Sequence, residues 1–403
     1  MLYSITFKNF YSFGEETTLN FVVNEKAPDN HGYFKTPLGT RLSKVETVIG
    51  PNASGKTNLL KTLPFLKWLI VDSFNLKPDS PLVIQLFAFG DTSNQSSSMS
   101  VIFELNEKIY TYSLELNKTR IINEKLERTS FVKEKKGTQK VFSREWNEKD
   151  QKYDFEGENF ELPKGFENSL RSNASVIGTA ARLNHPESVE LLQYWQKIQT
   201  NVAEMGWTGD HLVPSRVPQW VEALMFYSEN ENLKIEAEKL LSRFDLGLNG
   251  IVFEKEQKAD GLTIKDIKAK HSFKNKEYEL PIIYESSGTK QLFVLLKSIL
   301  SALVNGGAVI IDEFDVNLHP EIVLSLFNLF IDPEINSNNA QLLFSTHSHL
   351  VLSRLDKYQI VLVEKNENGM SESWRLDEVT GVRADDNYYS KYIAGAYGAV
   401  PKL

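Results

Sequence analysis

The chain predicts an α/β fold, a mixed sheet with flanking helices plus an antiparallel β part. Three observations predict it. Val45-Glu46-Thr47-Val48-Ile49 reads as a strand, Gly50 to Thr57 as a glycine-bounded loop, and Asn58-Leu59-Leu60-Lys61-Thr62-Leu63 as a helix start. Gly307-Ala308-Val309-Ile310-Ile311-Asp312-Glu313 is an apolar run ending in two acids, as buried parallel strands end at a ligand site. Leu342-Leu343-Phe344-Ser345-Thr346-His347 repeats that pattern.

The first element, Leu2 to Phe13, alternates apolar and polar residues and predicts a strand, with Thr17 to Val23 as its hairpin partner. Met99 to Leu105 and Lys108 to Leu116 predict two more strands about an Asn106-Glu107 turn, after a polar loop at 91–98. Residues from about 123 to 270 differ: charged β-like segments from Glu124 to Lys149, then helical runs such as Ser188 to Trp195 and Glu231 to Phe244. The charge runs Lys133 to Lys136 and Lys265 to Lys276 read as solvated faces. This organisation predicts lobes at 1–122 and 271–403 flanking an inserted region at 123–270, which is assigned partner or trigger recognition, or dimerisation. Its Trp195, Trp207 and Trp220 are candidate interface aromatics.

With 403 residues the chain can bury a large core. It has no cysteine, which excludes disulfides, thiolate catalysis and Cys-ligated zinc. Its net charge of −8 argues against a globally basic nucleic-acid binder. The closest approach to a membrane span is Leu63 to Val71, interrupted by Pro64 and Lys67. No secretory signal is read at the N-terminus, so no membrane partner and a cytoplasmic location are expected.

Gly50-Pro51-Asn52-Ala53-Ser54-Gly55-Lys56-Thr57 matches G-x-x-x-x-G-K-[ST]. Backbone N–H groups of such a loop bind phosphate oxygens, and the following helix adds its positive end. Lys56 reaches the terminal phosphates and the Thr57 hydroxyl ligates Mg²⁺. Asn58 follows directly. Asp312 is positioned to hold the metal, and Glu313 to polarise the attacking water. His347 can bond a γ-phosphate, with His349 as competitor. Glu285-Ser286-Ser287-Gly288-Thr289 opens an apolar helix and forms a second anion site.

In this order these motifs resemble ABC-type ATPases, specifically their SMC/RecF/OLD branch. Ile5-Thr6-Phe7-Lys8-Asn9-Phe10-Tyr11-Ser12-Phe13 is similar to its opening strand, Glu285 to Thr289 to its signature, and Asp312 to Pro320 to its Walker B and D-loop. The tail Tyr392 to Pro401 resembles the "G-R-Y-G-A-[IV]-P" ending of small RloA-like ATPases, with Ala396 in place of Arg.

The resemblance implies an ABC-type P-loop ATPase head in which two chains sandwich two ATPs with Mg²⁺. Carried over, Gly50, Pro51, Asn52, Ala53, Ser54, Gly55, Lys56, Thr57 and Asn58 bind phosphates. Thr57, Asp312 and Gln85 serve the metal, Gln85 by its place after Leu82-Val83-Ile84. Glu313 is the base, His347 the switch histidine and Lys56 a catalytic cation. Ser286, Ser287 and Gly288 cap the γ-phosphate of a partner copy. RloA-like ATPases serve in anti-phage defence beside a separate nuclease or toxin. The expected partners are thus a homodimer or higher oligomer, such an effector, and a phage protein or DNA as trigger. A RecF-like repair ATPase and an ATP-stabilised scaffold that sequesters an effector are the alternatives.

Overall fold

The computed structural model describes residues 1–90, 95–132, 135–157, 160–202, 219–244, 247–258 and 261–401. Trp207 and Lys133 lie outside the described residues.

Val45–Ile49 is buried along its whole length, as a strand covered on both faces must be. It lies inside a six-stranded sheet ordered Gln199–Thr200, Ala308–Ile311, Gln341–Ser345, Val45–Ile49, Ile360–Lys365 and Ser371–Arg375. The first five strands run parallel, and the last pairs antiparallel with Ile360–Lys365. The phosphate-loop, Asp-Glu and His segments therefore emerge at one end of adjacent strands, the place where open α/β sheets bind ligands.

A second, antiparallel sheet has seven strands: Lys152–Glu156, Lys135–Asn147, Ile121–Val132, Lys108–Leu116, Ser97–Leu105, Leu2–Lys8 and Thr17–Asn20. Asn106 and Glu107 both have positive φ, 50° and 57°, and Leu105 pairs with Lys108 across them. This is the left-handed two-residue turn that matches strand twist. The helix Thr62–Val71 sits between the two sheets, with Thr62 to Leu66 and Trp68 to Ile70 all buried. It is apolar on nearly every side because the strand Leu2–Lys8 and the helices Val176–Arg182 and Pro186–Gln196 pack against it. Gln341 ties the layers together: its amide bonds the Leu2 N–H (2.6 Å) and the Leu2 and Ser43 carbonyls (3.0 and 3.3 Å).

On the other face of the parallel sheet lie the helices Ser287–Asn305 and Pro320–Ile331, packed through Leu292, Phe293, Leu296, Leu326 and Phe330. Ser287–Asn305, rather than the segment near Leu63, is the one described helix long and apolar enough by length and composition to cross a membrane. Its apolar residues instead fill this core. A three-stranded sheet, Leu248–Lys258, Gly261–Phe273 and Lys276–Pro281, leads into Ser286.

The boundaries expected at 122/123 and 270/271 both fall within strands, Ile121–Val132 and Gly261–Phe273. The charged segment after Glu124 continues the seven-stranded sheet. Its charges are not all solvated: Arg144 and Glu124 form a fully buried ion pair at 2.6 Å. Glu124 also accepts from Tyr112 Oη (2.7 Å) and the Val176 N–H (2.9 Å). Arg144 donates to the Ala174 and Arg171 carbonyls. Such a pair is tolerated because most of its remaining bonding capacity is met; of the Arg144 guanidinium only Nε lacks a partner. Trp195 stacks edge-on to Phe103 with no exposure and serves the core rather than a rim. Trp220 is partly buried beneath the Lys290 ammonium.

Candidate functional site

The loop after Val45–Ile49 is held from two sides. Gly50 tolerates no side chain, because a Cβ there would lie 2.0 Å from the Val363 carbonyl oxygen. Gly55 adopts φ 118°, and a Cβ there would meet Ser371 Oγ at 2.3 Å. Ser371 Oγ is bonded to the Ser54 carbonyl (2.6 Å) and to Ser12 Oγ (2.8 Å). Asn58 Nδ2 donates to the same Ser12 oxygen at 2.9 Å. The hairpin Ile360–Lys365/Ser371–Arg375 thus braces the loop from below. Ala53 takes a left-handed conformation, φ 59°, of the kind that turns successive N–H groups into an anion-binding concavity.

Lys56 begins the helix Lys56–Leu60, and its ammonium donates to the Gly50 and Pro51 carbonyls at 2.8 and 2.9 Å. Burial draws its pKa down, opposed by the charges of Asp312, Glu313 and Asp315. Thr57 Oγ1 donates to Asp312 Oδ2 at 2.7 Å, and Ser345 Oγ donates to Asp312 Oδ1 at 2.5 Å. Ser345 Oγ accepts the Glu313 N–H at 2.8 Å. Glu313 itself sits at φ 51°, a left-handed conformation costing about 1–2 kcal/mol in a non-glycine residue. Such strain concentrates at functional sites. Asp315 Oδ1 accepts from Thr346 Oγ1 (2.7 Å) and the His347 N–H (3.0 Å), which joins the turn after Glu313 to the His347 strand end.

These groups surround a cavity of about 500 Å³ lined by Asn52 to Asn58, Asp312, Glu313, His347 and Lys365. Its oxygen donors suit a hard cation: a hydroxyl and a carboxylate, Thr57 and Asp312, already in contact. Among the described residues no group of three or more His, Asp or Glu is arranged to hold a metal unaided.

The structure therefore gathers Asn52, Ala53, Ser54, Gly55, Lys56, Thr57, Asn58, Asp312, Glu313 and His347 at one site, with the Gly50 and Pro51 carbonyls behind them. Gln85 does not line this cavity. Its backbone carbonyl is held by the Tyr11 N–H (2.8 Å), and its side chain donates to the Leu86 carbonyl. The His349 ring packs at a tilt against Tyr392 (centroids 5.0 Å apart) and is likewise outside the lining. Its pKa is lowered by burial and by His347 and Lys56, against Asp315. Ser286, Ser287 and Gly288 are not brought to the cavity within one chain. Ser286 Oγ caps its helix by accepting the Thr289 N–H (3.0 Å). Gly288 lies against the D-loop segment: a Cβ on it would be 2.7 Å from the Asn317 carbonyl.

The sequence from residue 47 to 353, well over half of the chain, matches the family AAA_21, described as "AAA domain, putative AbiEii toxin, Type IV TA system". The chain belongs to this family. No curated protein matches it. Solved structures similar to it include the SMC head domain from Thermotoga maritima, with 15% identity and a TM-score of 0.43 over 93% of this chain and 98% of that one. Another is a Smc head with an extended coiled coil bound to the C-terminal domain of ScpA derived from Pyrococcus furiosus, with 13% identity and a TM-score of 0.49 over 94% and 98%.

In this AAA_21 chain three site residues carry no signal in a motif. Asn201, beside the short strand Gln199–Thr200, grips the Asp312 backbone from both sides. Its Oδ1 accepts the Asp312 N–H (2.8 Å) and its Nδ2 donates to the Asp312 carbonyl (2.9 Å). Ser371 braces the loop and Lys365 lines the cavity. Ser345, by contrast, is visible in the apolar strand before His347, as the polar residue at its end.

Proposed function

We propose that the chain binds Mg²⁺-ATP in this cavity and hydrolyses it between two copies, as the regulatory partner of a separately encoded nuclease or toxin in anti-phage defence. The observation that carries the chemistry is the linked set Thr57–Asp312–Ser345–Glu313 facing the phosphate loop. Mg²⁺, held by Thr57 and Asp312, would supply positive charge to the phosphates. Loop N–H groups and Lys56 bind the phosphate oxygens. Lys56 exchanges its Gly50 and Pro51 carbonyl bonds for stronger charge-assisted bonds to phosphate. Glu313 accepts the proton of the attacking water, and His347 bonds the terminal phosphate. Phosphoryl transfer needs little beyond such positioning and charge.

Support for a shared site comes from the signature. Ser286 and Ser287 are exposed at the N-terminus of a 19-residue helix, outside their own chain's cavity, and so are available to a second copy's nucleotide. The defence role rests on the tail resemblance and on the toxin named in the family description. Residues 123–270 are proposed to receive the effector or trigger.

The test is a pair of variants. Lys56→Ala should lose the ATP-dependent rise in melting temperature. Glu313→Gln should keep that rise and lose turnover by 100-fold or more, roughly the effect of removing a general base. Wild-type hydrolysis by Glu313→Gln would refute the assignment of the base. An unchanged melting shift in Lys56→Ala would refute the site.

A further inference from the structure

Lys365 ends the strand Ile360–Lys365, which pairs in parallel with the loop-bearing strand, Leu362 opposite Ile49. It lines the same cavity as Asn52, Lys56, Glu313 and His347. Side chains alternate along a strand. The preceding Glu364 turns to the C-terminal segment, where its Oε2 accepts the Ala399 N–H (2.8 Å), leaving Lys365 for the opposite face.

Its backbone is fixed. Lys365 pairs with Ser371, whose hydroxyl braces Ser54. The turn between them is closed by Asn366 Oδ1, which accepts the Asn368 and Met370 N–H groups at 3.0 and 3.1 Å. Among the described residues, no hydrogen bond or ion pair engages the Lys365 ammonium, whereas Lys56 is already bonded to two carbonyls. Lys365 is thus the cavity's uncommitted cation, presented by a rigid hairpin.

In the proposed pose Lys56 would meet the terminal phosphates from the helix side of the cavity. Glu313 and His347 mark the end where the terminal phosphate is attacked. The Lys365 strand closes on the first half of the loop, where the Val363 carbonyl abuts Gly50. We propose that Lys365 is a second protein cation for the terminal phosphate, so that it favours ATP over ADP. This rests on the Mg²⁺-ATP reading above.

The experiment is calorimetric titration of wild type, Lys365→Ala and Lys365→Arg with Mg²⁺-ATP and with Mg²⁺-ADP, with Lys56→Ala in parallel. Lys365→Ala should bind ATP about 5- to 20-fold more weakly, the scale of one charge-assisted bond at a half-open site. ADP affinity should change by less than about twofold, and Lys365→Arg should restore ATP binding. The nucleotide-free melting temperature should not move. Equal losses for ATP and ADP, or none for ATP, would overturn the role of Lys365. If Lys56→Ala also binds ATP normally, the site reading itself fails, which is a separable result.

Discussion

Glu46 is a carboxyl buried in the strand that carries the phosphate loop, four residues before Gly50. It has no exposure, and neither carboxyl oxygen has a protein hydrogen-bond partner. Burial pushes its pKa up to about 8; Asp377 and Glu378 add to the rise, and Arg375 opposes it. Arg375 cannot approach further, since its guanidinium is committed to Asp377 (2.6 and 3.2 Å) and to the Asn20 and Val22 carbonyls. With a pKa pushed up to about 8, Glu46 is mostly protonated in the folded protein at pH 7 and ionised in the unfolded chain.

The sign follows. A raised carboxyl leaves the fold at full stability below the unfolded pKa, and that stability drains away as pH rises through the folded one. A shift from 4.5 to about 8 corresponds to a loss of about 5 kcal/mol in total, of which about 2–3 kcal/mol falls between pH 6 and 9. Glu46→Gln keeps the shape and cannot ionise. Its amide donors need partners, a cost of about 1–3 kcal/mol that does not change with pH. Urea unfolding at pH 6, 7, 8 and 9 should therefore show the variant gaining about 2–3 kcal/mol on the wild type across the series. Other groups bend the absolute curves. The Met1 amino group, drawn down to about 5 by burial, stabilises as pH rises, whereas Asp356, raised by burial, does the reverse. Both are present in both proteins and cancel in the difference. Parallel curves for the two proteins would refute a neutral Glu46.

Two further outcomes test the loop and the signature. Gly50→Ala places a methyl 2.0 Å from a backbone carbonyl; overpacking of this kind costs about 1–3 kcal/mol, and the ATP-induced melting shift should fall with it, so full nucleotide stabilisation in this variant would show that the hairpin does not set the loop. Ser287→Glu adds an acid at the first turn of the helix Ser287–Asn305, where it suits the macrodipole but repels a partner's phosphate. Melting and ATP binding should hold while ATPase activity and ATP-driven association by light scattering are lost, and wild-type turnover would remove the signature from the site. Gly288 is the poorer position for this test, because any side chain there strikes its own Asn317 carbonyl.

Three of the five parallel strands were legible because their chemistry is local, whereas Gln199–Thr200 and Ile360–Lys365 carry no motif. Val45–Ile49 mixes apolar and polar residues before a glycine-bounded loop, and Ala308–Ile311 and Gln341–Ser345 are short, mostly apolar runs followed by polar residues. Cavity residues inside motifs were legible for the same reason. The boundary near residue 122 was not, since strands rich in Glu, Lys and Arg read as a new region, and only the antiparallel register shows Glu124 and Arg144 turned inward. Asn201, Lys365 and Ser371 were invisible because each acts across a long stretch of chain. The Asn201–Asp312 bond spans 111 residues and the Ser371–Ser54 bond spans 317, and neither residue type announces such a contact.

Those distant contacts also explain the tail. Tyr392 Oη donates to the Ala399 carbonyl (2.7 Å), the Ala399 N–H donates to Glu364, and Gly398 lies against Trp374. Glu364 and Trp374 belong to the hairpin that braces the loop through Val363 and Ser371. The inward residues of the ending, Tyr397 and Ala399, are buried, whereas Ala396 is exposed, so an alanine in place of arginine there costs no internal contact. The tail thus meets the site through a rigid hairpin, and Asn201 from the middle of the chain meets it through the Asp312 backbone. The two halves of the proposed site, phosphate loop and Asp-Glu turn, are each positioned by a segment remote in sequence, which is why the motifs alone name the site residues but not their support.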